Sequence, residues 1–444
     1  MDELKYQSGF GNEFESEVLA GALPHGQFSP QRLAFGLYAE KFSYTAFTAP
    51  RADNRRTWFY RIRPSVSQGR HQPLALGLLR TAPCDEGITP PDALRWDPLP
   101  IDSQAHDFID GLKTVASNGD CHAQRGVAVH LYSATVGMGR RYLQNNDGEL
   151  LLVPQSGMLV LHTECGVLTA APGEIALVPR GMKFKVELSD GPARGYVCEN
   201  YGAYLRLPER GPVGSDGYAN GRDFMTPVAH YVDDQQAAEL ITKFQGRLFR
   251  AALDHCPLDV VAWIGTAVPF KYDLARFNAM NSVTFDHPDP SIFTVLTSPS
   301  TSAGVANLDF VIFPPRWLVA EHTFRPPWFH RNVMSEFMGL IRGQYDAKRG
   351  GFEPGGLSVH NSFVPHGPDA AVFAAASDVA LTPVKQEHGL AFMFESRYVF
   401  KLTAWALNAP TLQPDYSDCW RALTRRFEPN TSTASTTPVH DQPD

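Results

Sequence analysis

The chain has 444 residues, of which 43% are hydrophobic and 19% charged, and it carries a formal net charge of −8. This length is sufficient for two domains with large cores, and the negative charge argues against a nucleic-acid-binding surface. The first residues are acidic, and no apolar stretch approaches the roughly 20 residues that a membrane span needs. We therefore expect a cytoplasmic protein with neither a secretory signal nor a membrane anchor.

The first half of the chain is predicted to consist largely of β-strands. Its residues 6–14 have neither a helical nor a strand period and predict an ordered loop, whereas residues 56–63 alternate large and charged groups and predict a strand. Apolar runs within residues 127–207 predict several further strands. After Asp233, apolar residues recur at helical spacing behind a capping carboxylate, which predicts a connecting helix over residues 233–248.

The β region of the first half contains the spacing of a known barrel motif. Gly173, Pro179 and Gly181 resemble the second motif of cupin barrels. The position at which that motif has its histidine is occupied by Phe184. The N-terminal half is therefore predicted to be a cupin-like barrel without a metal.

The stretch around His330 and Glu336 has the strongest signal for chemistry. The two residues are six positions apart, so they point to one face of an extended strand but to different sides of a helix. Pro326 and Pro327 precede them, which favours an extended chain. With His366 they form a two-histidine, one-carboxylate set, the kind that holds Fe(II) and leaves coordination positions open. The alternative is a structural barrel in which His330 and Glu336 only hydrogen-bond each other.

The same stretch also resembles the first cupin motif, His-x-Asn-x3-Glu-x6-Gly. Asn332 stands where the motif usually has a second histidine, which leaves three protein ligands for the metal. The second motif is kept only in part, with Gly355 at the expected distance before His366. These patterns predict a mostly β protein of two cupin-like, jelly-roll β-sandwich halves, a bicupin, with the metal site in the C-terminal barrel only.

Two more residues are candidates for roles in the site. His287 lies between Asp286 and two prolines, and it is either a general base oriented by a rigid loop or a histidine capped by its neighbour. Tyr345 follows the strand of Glu336, where its phenol either donates a hydrogen bond to a substrate oxygen or covers the end of the barrel.

The predicted organisation has three parts. Residues 1–280 form the N-terminal β-sandwich domain with the connecting helix, and residues 281–427 form the C-terminal cupin domain with the iron site. Residues 428–444 are rich in threonine, serine and proline, which predicts a disordered tail. The sequence has no phosphate-binding glycine loop and no nucleophile elbow, so the chemistry depends on the metal set.

Four strings of the sequence resemble the homogentisate 1,2-dioxygenase family, and the resemblance covers nearly the whole chain except the tail. They are YQSGFGN at residues 6–12, FDHPDPS at 285–291, RPPWFHRN at 325–332 and VPHGPD at 364–369. The resemblance implies iron ligands at His330, Glu336 and His366, a proton-accepting histidine at His287, substrate contacts at Tyr345 and His366, and supporting residues at Asn332 and His360.

The resemblance also implies a reaction and an assembly. Family members use Fe(II) and dioxygen to open the ring of homogentisate, a hydroquinone with an acetate arm, and form 4-maleylacetoacetate in tyrosine and phenylalanine breakdown. The implied assembly is a homo-hexamer, a dimer of trimers. Two alternatives remain at this point: a cupin dioxygenase for gentisate or a related phenol, and a non-catalytic bicupin that binds a ligand.

Overall fold

Mostly antiparallel β-sheets form the framework of the computed structural model, which describes residues 4–101, 104–209, 217–286, 293–348 and 350–429. The central sheet has nine strands, in the order Tyr6–Ser8, Phe224–Pro227, Phe270–Asp273, Glu174–Val178, Glu149–Ser156, Ala193–Asn200, Val127–Ala134, Leu112–Ser117 and Lys401–Leu402. A seven-stranded sheet has the order Gly166–Ala170, Leu159–Thr163, Lys183–Leu188, Arg141–Asn145, Ala238–Phe244, Arg247–Leu253 and Gln72–Leu74.

A six-stranded sheet belongs mainly to the C-terminal half. Its order is Phe293–Pro299, Ala306–Phe313, Leu390–Ser396, Ser335–Arg342, Leu357–His360 and Leu94–Trp96. A four-stranded sheet comprises Phe14–Glu17, Val260–Gly265, Arg56–Arg61 and Tyr38–Ser43, and two strand pairs comprise Gly217–Tyr218 with Asn278–Ala279 and Arg316–Leu318 with Val384–Gln386. The α-helices are Ala370–Ser377 and Ala404–Leu407, and the 3-10 helices are Ala34–Gly36, Gly221–Asp223, Leu274–Arg276 and Tyr416–Trp420.

The nine-stranded sheet is covered on both faces, which explains its unusually apolar strands. Every residue of Val127–Ala134 is buried. Val129 packs in the core shared with the six-stranded sheet, whereas Tyr132 packs in the core shared with the seven-stranded sheet. Because successive side chains of a strand point to opposite faces, a strand between two cores is mostly apolar on both faces.

The strand Ser335–Arg342 uses its two faces differently. Phe337 and Ile341 pack in the core against the nine-stranded sheet. Met338 and Leu340 belong to a separate small cluster on the other face, and the alternation of strand side chains places Glu336 on that face with them. The strand therefore holds a carboxylate on the face opposite to the main core.

The predicted helix over residues 233–248 is wrong. The chain there forms the hairpin of Ala238–Phe244 and Arg247–Leu253 in the seven-stranded sheet. Gln245 and Gly246 form the turn with φ values of 52° and 68°, the backbone that two-residue hairpins favour. Leu240 and Ile241 pack in separate clusters on opposite faces of the first strand, and Leu248 lies on the second strand. A hairpin buried on both faces can therefore imitate the spacing of a helix.

The prediction of a loop over residues 6–14 also needs correction. Tyr6–Ser8 pairs with Phe224–Pro227, and Phe14–Glu17 begins the four-stranded sheet. These strands have three and four residues, too few for a periodic pattern to be visible in the sequence.

The two halves exchange edge strands. Leu94–Trp96, from the first half, pairs with Leu357–His360, and Lys401–Leu402, from the second half, pairs with Leu112–Ser117. The mostly β fold is confirmed, whereas the division at residue 280 stays a prediction. The predicted tail lies outside the described residues from 430 onward. In the part of the chain that the structure describes, no helix combines the length and apolar character needed to span a bilayer.

We predict that Gly339→Val destabilises the protein. A Cβ at Gly339 would lie 2.4 Å from the ring of Phe392 and 3.0 Å from that of Tyr196, so a larger side chain overpacks the core. We expect a loss of about 1–3 kcal/mol or more, seen as a lower Tm in thermal unfolding. Gly350→Val is the matched control, since a Cβ there has nothing within 4 Å. Equal Tm values for the two variants would contradict this account of the packing of Ser335–Arg342.

Candidate metal centre

His330, Glu336 and His366 meet at one end of the six-stranded sheet. One nitrogen of each histidine and one carboxylate oxygen all lie within 4.8 Å of one another. His366 Nε2 is 3.0 Å from Glu336 Oε2, and His330 Nε2 is 3.9 Å from Glu336 Oε1. The structure thus brings together the three residues that the sequence predicts as metal ligands.

The two histidines are placed by a backbone contact and not by a shared strand. His330 N donates to His366 O at 2.9 Å, and His366 N donates to His330 O at 3.0 Å. Glu336 lies on Ser335–Arg342, which begins five residues after His330. The prediction that His330 and Glu336 lie on one extended strand is therefore wrong, although both side chains reach the same point. The chain bends between them, and Phe363 N donates to Asn332 O at 2.7 Å within that bend.

The backbone also fixes the protonation of both imidazoles. Nδ1 of His330 lies 2.8 Å from the carbonyl oxygen of Trp328, and Nδ1 of His366 lies 2.9 Å from that of Val364. A carbonyl oxygen only accepts, so each Nδ1 carries a proton and each neutral ring presents the Nε2 lone pair to Glu336. This is the usual support of a metal-binding histidine.

The arrangement of these side chains suits a cation. His366 Nε2 is buried and, among the described residues, has no hydrogen-bond partner, because its approach to Glu336 lacks hydrogen-bond geometry. A lone pair that faces a buried carboxylate is unfavourable unless a positive charge lies between them. The donor set of two imidazoles and one carboxylate fits a divalent transition metal with open positions.

Asn332 and His360 support the carboxylate. Asn332 Nδ2 donates to Glu336 Oε1 at 3.0 Å. His360 lies opposite Glu336 on the neighbouring strand, with its Nδ1 3.6 Å from Oε2 and its Nε2 3.1 Å from the hydroxyl of Tyr416. Its ring stacks on that of His366, with centroids 4.1 Å apart and 8° between the planes. Both residues therefore restrict how Glu336 and His366 can move.

Four ionisable residues form a row across four neighbouring strands: Asp309, Glu395, Glu336 and His360. Burial, with Glu336 and Asp309 nearby, raises the pKa of Glu395 to about 8. Burial raises the pKa of Asp309 to about 6 and lowers that of His360 to about 4.

Tyr345 lies in the wall of a cavity of about 790 Å³ that also borders the three candidate ligands. Its ring packs edge-on against Phe313 and Phe352, with centroids 5.4 Å and 6.2 Å away. Burial and the adjacent Asp346 raise the pKa of Tyr345 well above its usual value, so the phenol keeps its proton and remains a hydrogen-bond donor.

One predicted site residue lies outside the described residues, and sequence reasoning missed others. His287 falls in the gap between residues 286 and 293. Glu395 and Asp309 interrupt apolar strands, a signal that could have marked them as buried acids. Tyr416 and Arg95 also border the cavity, but they are distant in the sequence and lie in segments without a recognisable pattern.

We predict that Asp309→Asn stabilises the protein at neutral pH. The native state keeps the Asp309 proton up to about pH 6, whereas the unfolded chain releases it near pH 4, so the native state loses stability as the pH rises between these values. Asparagine has no proton to release, so the free energy of unfolding of the variant should exceed that of the unchanged protein by about 2–3 kcal/mol above pH 6 and by little at pH 4. Thermal unfolding of both chelator-treated proteins at several pH values measures this difference in stability. A difference that does not change with pH would contradict the raised pKa of Asp309.

Comparison with known proteins gives a consistent result over almost the whole chain. The family model described as "Homogentisate 1,2-dioxygenase N-terminal" matches residues 5–274, and the one described as "Homogentisate 1,2-dioxygenase C-terminal" matches residues 275–427. A homogentisate 1,2-dioxygenase of Rhodopseudomonas palustris (strain BisB18) is 57% identical over 425 residues, which cover 96% of this chain and 95% of the relative. One of Bradyrhizobium diazoefficiens is 56% identical over 426 residues, with the same coverage. Among solved structures, a cupin 2 conserved barrel domain protein from Leptotrichia buccalis is 9% identical, covers 60% of this chain and 82% of its own, and has a TM-score of 0.25, which supports no conclusion.

Proposed function

This chain belongs to the homogentisate 1,2-dioxygenase family, and on that premise we propose that it binds Fe(II) through His330, Glu336 and His366 and opens the ring of homogentisate with dioxygen. The observation that carries the proposal is the convergence of these three side chains, with His366 Nε2 buried and unpartnered, on a cavity large enough for an aromatic substrate. The product is 4-maleylacetoacetate, which places the reaction in tyrosine and phenylalanine breakdown.

The donor set supports iron in particular. Two neutral imidazoles and one carboxylate occupy one side of a metal ion and leave the other side open, the arrangement typical of non-haem Fe(II) oxygenases. When bound, Fe(II) would supply a redox-active centre that overcomes the slow reaction of dioxygen with organic molecules.

The protein's own residues bind and orient the substrate and exclude water. His287 accepts the phenolic proton of the substrate, which makes the ring more electron-rich. Tyr345 keeps its proton and donates a hydrogen bond to a substrate oxygen. The reaction adds both atoms of dioxygen to homogentisate, breaks the bond between the ring carbon with the arm and the adjacent hydroxyl-bearing carbon, and releases no other fragment. The predominantly apolar lining of the cavity disfavours water that would compete with these contacts.

The proposal includes the setting of the enzyme. We place it in the cytoplasm as a homo-hexamer, a dimer of trimers, with residues 1–280 as a metal-free N-terminal domain and residues 281–427 as the iron-binding domain. The family models meet between residues 274 and 275, close to this division. Sedimentation of the purified protein measures the assembly.

The proposed reaction is tested with protein loaded anaerobically with Fe(II). We expect one dioxygen consumed per homogentisate and a product with the absorbance of 4-maleylacetoacetate, and slower turnover of gentisate. Glu336→Ala removes the carboxylate ligand and should lose iron, whereas Glu387→Ala, whose side chain is 51% exposed, should keep it. Preferred cleavage of gentisate would support the neighbouring dioxygenase class instead, and iron at full occupancy in Glu336→Ala would contradict the ligand assignment.

We predict that His287→Ala keeps its iron but loses most of its turnover. A positioned general base contributes typically about 10²–10⁴-fold to the rate, so kcat should fall by about that factor. Metal analysis and single-turnover kinetics measure the two quantities separately. His388→Ala, whose side chain is 90% exposed, is the control. An unchanged kcat would remove His287 from the mechanism.

A further inference from the structure

Lys348 is a buried cation in the cavity wall. The residue is 7% exposed. Its Nζ donates to the carbonyl oxygen of Gly367 at 2.8 Å and lies 5.3 Å and 4.4 Å from the ring centres of Tyr416 and Trp420. Among the described residues it forms no salt bridge. Asp369 contributes to the field at Lys348, but its Oδ1 accepts a hydrogen bond from Val372 N at 2.7 Å and caps Ala370–Ser377.

Arg95 is a second buried cation, and it borders the same cavity. It lies on Leu94–Trp96, the strand that the N-terminal half adds to the six-stranded sheet, and it is 7% exposed. Its guanidinium lies 4.2 Å from the ring centre of Tyr416, and its Nε donates to Gln413 Oε1 at 2.5 Å. Its Nη1 is buried and has no hydrogen-bond partner within the described part of the chain.

The two cations flank Tyr416 and repel each other. Burial first, and then the charge of Arg95, lowers the pKa of Lys348 to about 8. Arg316 borders the same cavity but pairs with Asp346 at 2.5 Å, so its charge is already neutralised. Two like charges held out of water without an acid between them are costly unless an anion joins them.

We propose that Lys348 and Arg95 form an anion-binding end of the cavity that recognises the carboxylate on the arm of the substrate. The ligand is an aromatic ring with a short carboxylate-bearing side chain. Lys348 contacts Gly367, the residue directly after the ligand His366, so the anion-binding end lies beside the metal centre. The inference rests on the proposed function for the identity of the ring, but anion recognition is measurable without turnover.

The arrangement also explains why the N-terminal half supplies part of the site. The edge strand Leu94–Trp96 pairs with Leu357–His360, which ends at the histidine beside Glu336. Arg95 therefore reaches the cavity only because the two halves exchange edge strands. In this view the metal-free half determines specificity, and the other half holds the metal.

The first test measures equilibrium binding by calorimetry without oxygen. The probes are 3-hydroxyphenylacetate, which has a carboxylate arm, and the corresponding neutral alcohol. Lys348→Met should weaken binding of the acid by about 10- to 100-fold, the usual range for loss of a charge-assisted hydrogen bond, and change binding of the alcohol little. Lys348→Arg should restore part of the loss, and Arg95→Met should give a similar loss independently. Lys401→Met, whose side chain is 54% exposed, is the control.

The second test compares turnover of homogentisate with that of 2,5-dihydroxytoluene, which lacks the carboxylate. In Lys348→Met, kcat/KM for homogentisate should fall by about 10- to 100-fold, whereas kcat/KM for 2,5-dihydroxytoluene should stay unchanged. If both Lys348→Met and Arg95→Met are folded, as judged by Tm, and bind the acid as the unchanged protein does, the inference is overturned. If the unchanged protein binds the acid through Lys348 but does not open the homogentisate ring, the proposed function fails and the anion-binding end stands.

Discussion

The reciprocal backbone hydrogen bonds between His330 and His366 are the constraint on which the site depends. They join two loops into one short ladder and place both imidazoles above Glu336. Each ring is also held by a hydrogen bond between its Nδ1 and a backbone carbonyl oxygen, so the orientation of its Nε2 is fixed. A site built in this way is organised before any ion enters, which reduces the ordering that metal binding must impose.

The layered sheets give this site a rigid base. The strand of Glu336 packs through Phe337 and Ile341 on the nine-stranded sheet, which is itself covered on its far face. Tyr196 of that sheet donates its hydroxyl to Gly356 O at 2.7 Å, directly before the strand that ends at His360. Positions along the ligand strand are therefore set by a core that extends through both halves of the chain.

Sequence reasoning found the three converging side chains of the candidate metal centre, but it did not predict their geometry. The six-residue spacing pointed to His330 and Glu336, whose side chains do converge, but the chain bends between them and the spacing rule did not apply. The apolar period near residues 238–253 was ambiguous between strand and helix, and only the Gln245 turn resolves it. Lys348 and Arg95 could not be found from sequence, because an unpaired buried cation is defined by the absence of a partner in space and leaves no local pattern.

The two halves balance a buried carboxylate in different ways. In the N-terminal half, Glu199 is fully buried and Lys243 Nζ lies 2.8 Å from it, which holds its pKa at about 2 despite burial. In the C-terminal half, Glu336 is also buried, but among the described residues no lysine or arginine forms a salt bridge with it, and its neighbours are imidazoles. The ammonium of Lys243 balances the charge of Glu199, whereas the imidazole lone pairs beside Glu336 supply no such charge, so that carboxylate suits a metal ion. Under the proposed function, the cation beside the buried carboxylate is a lysine in the N-terminal half and a bound metal ion in the C-terminal half.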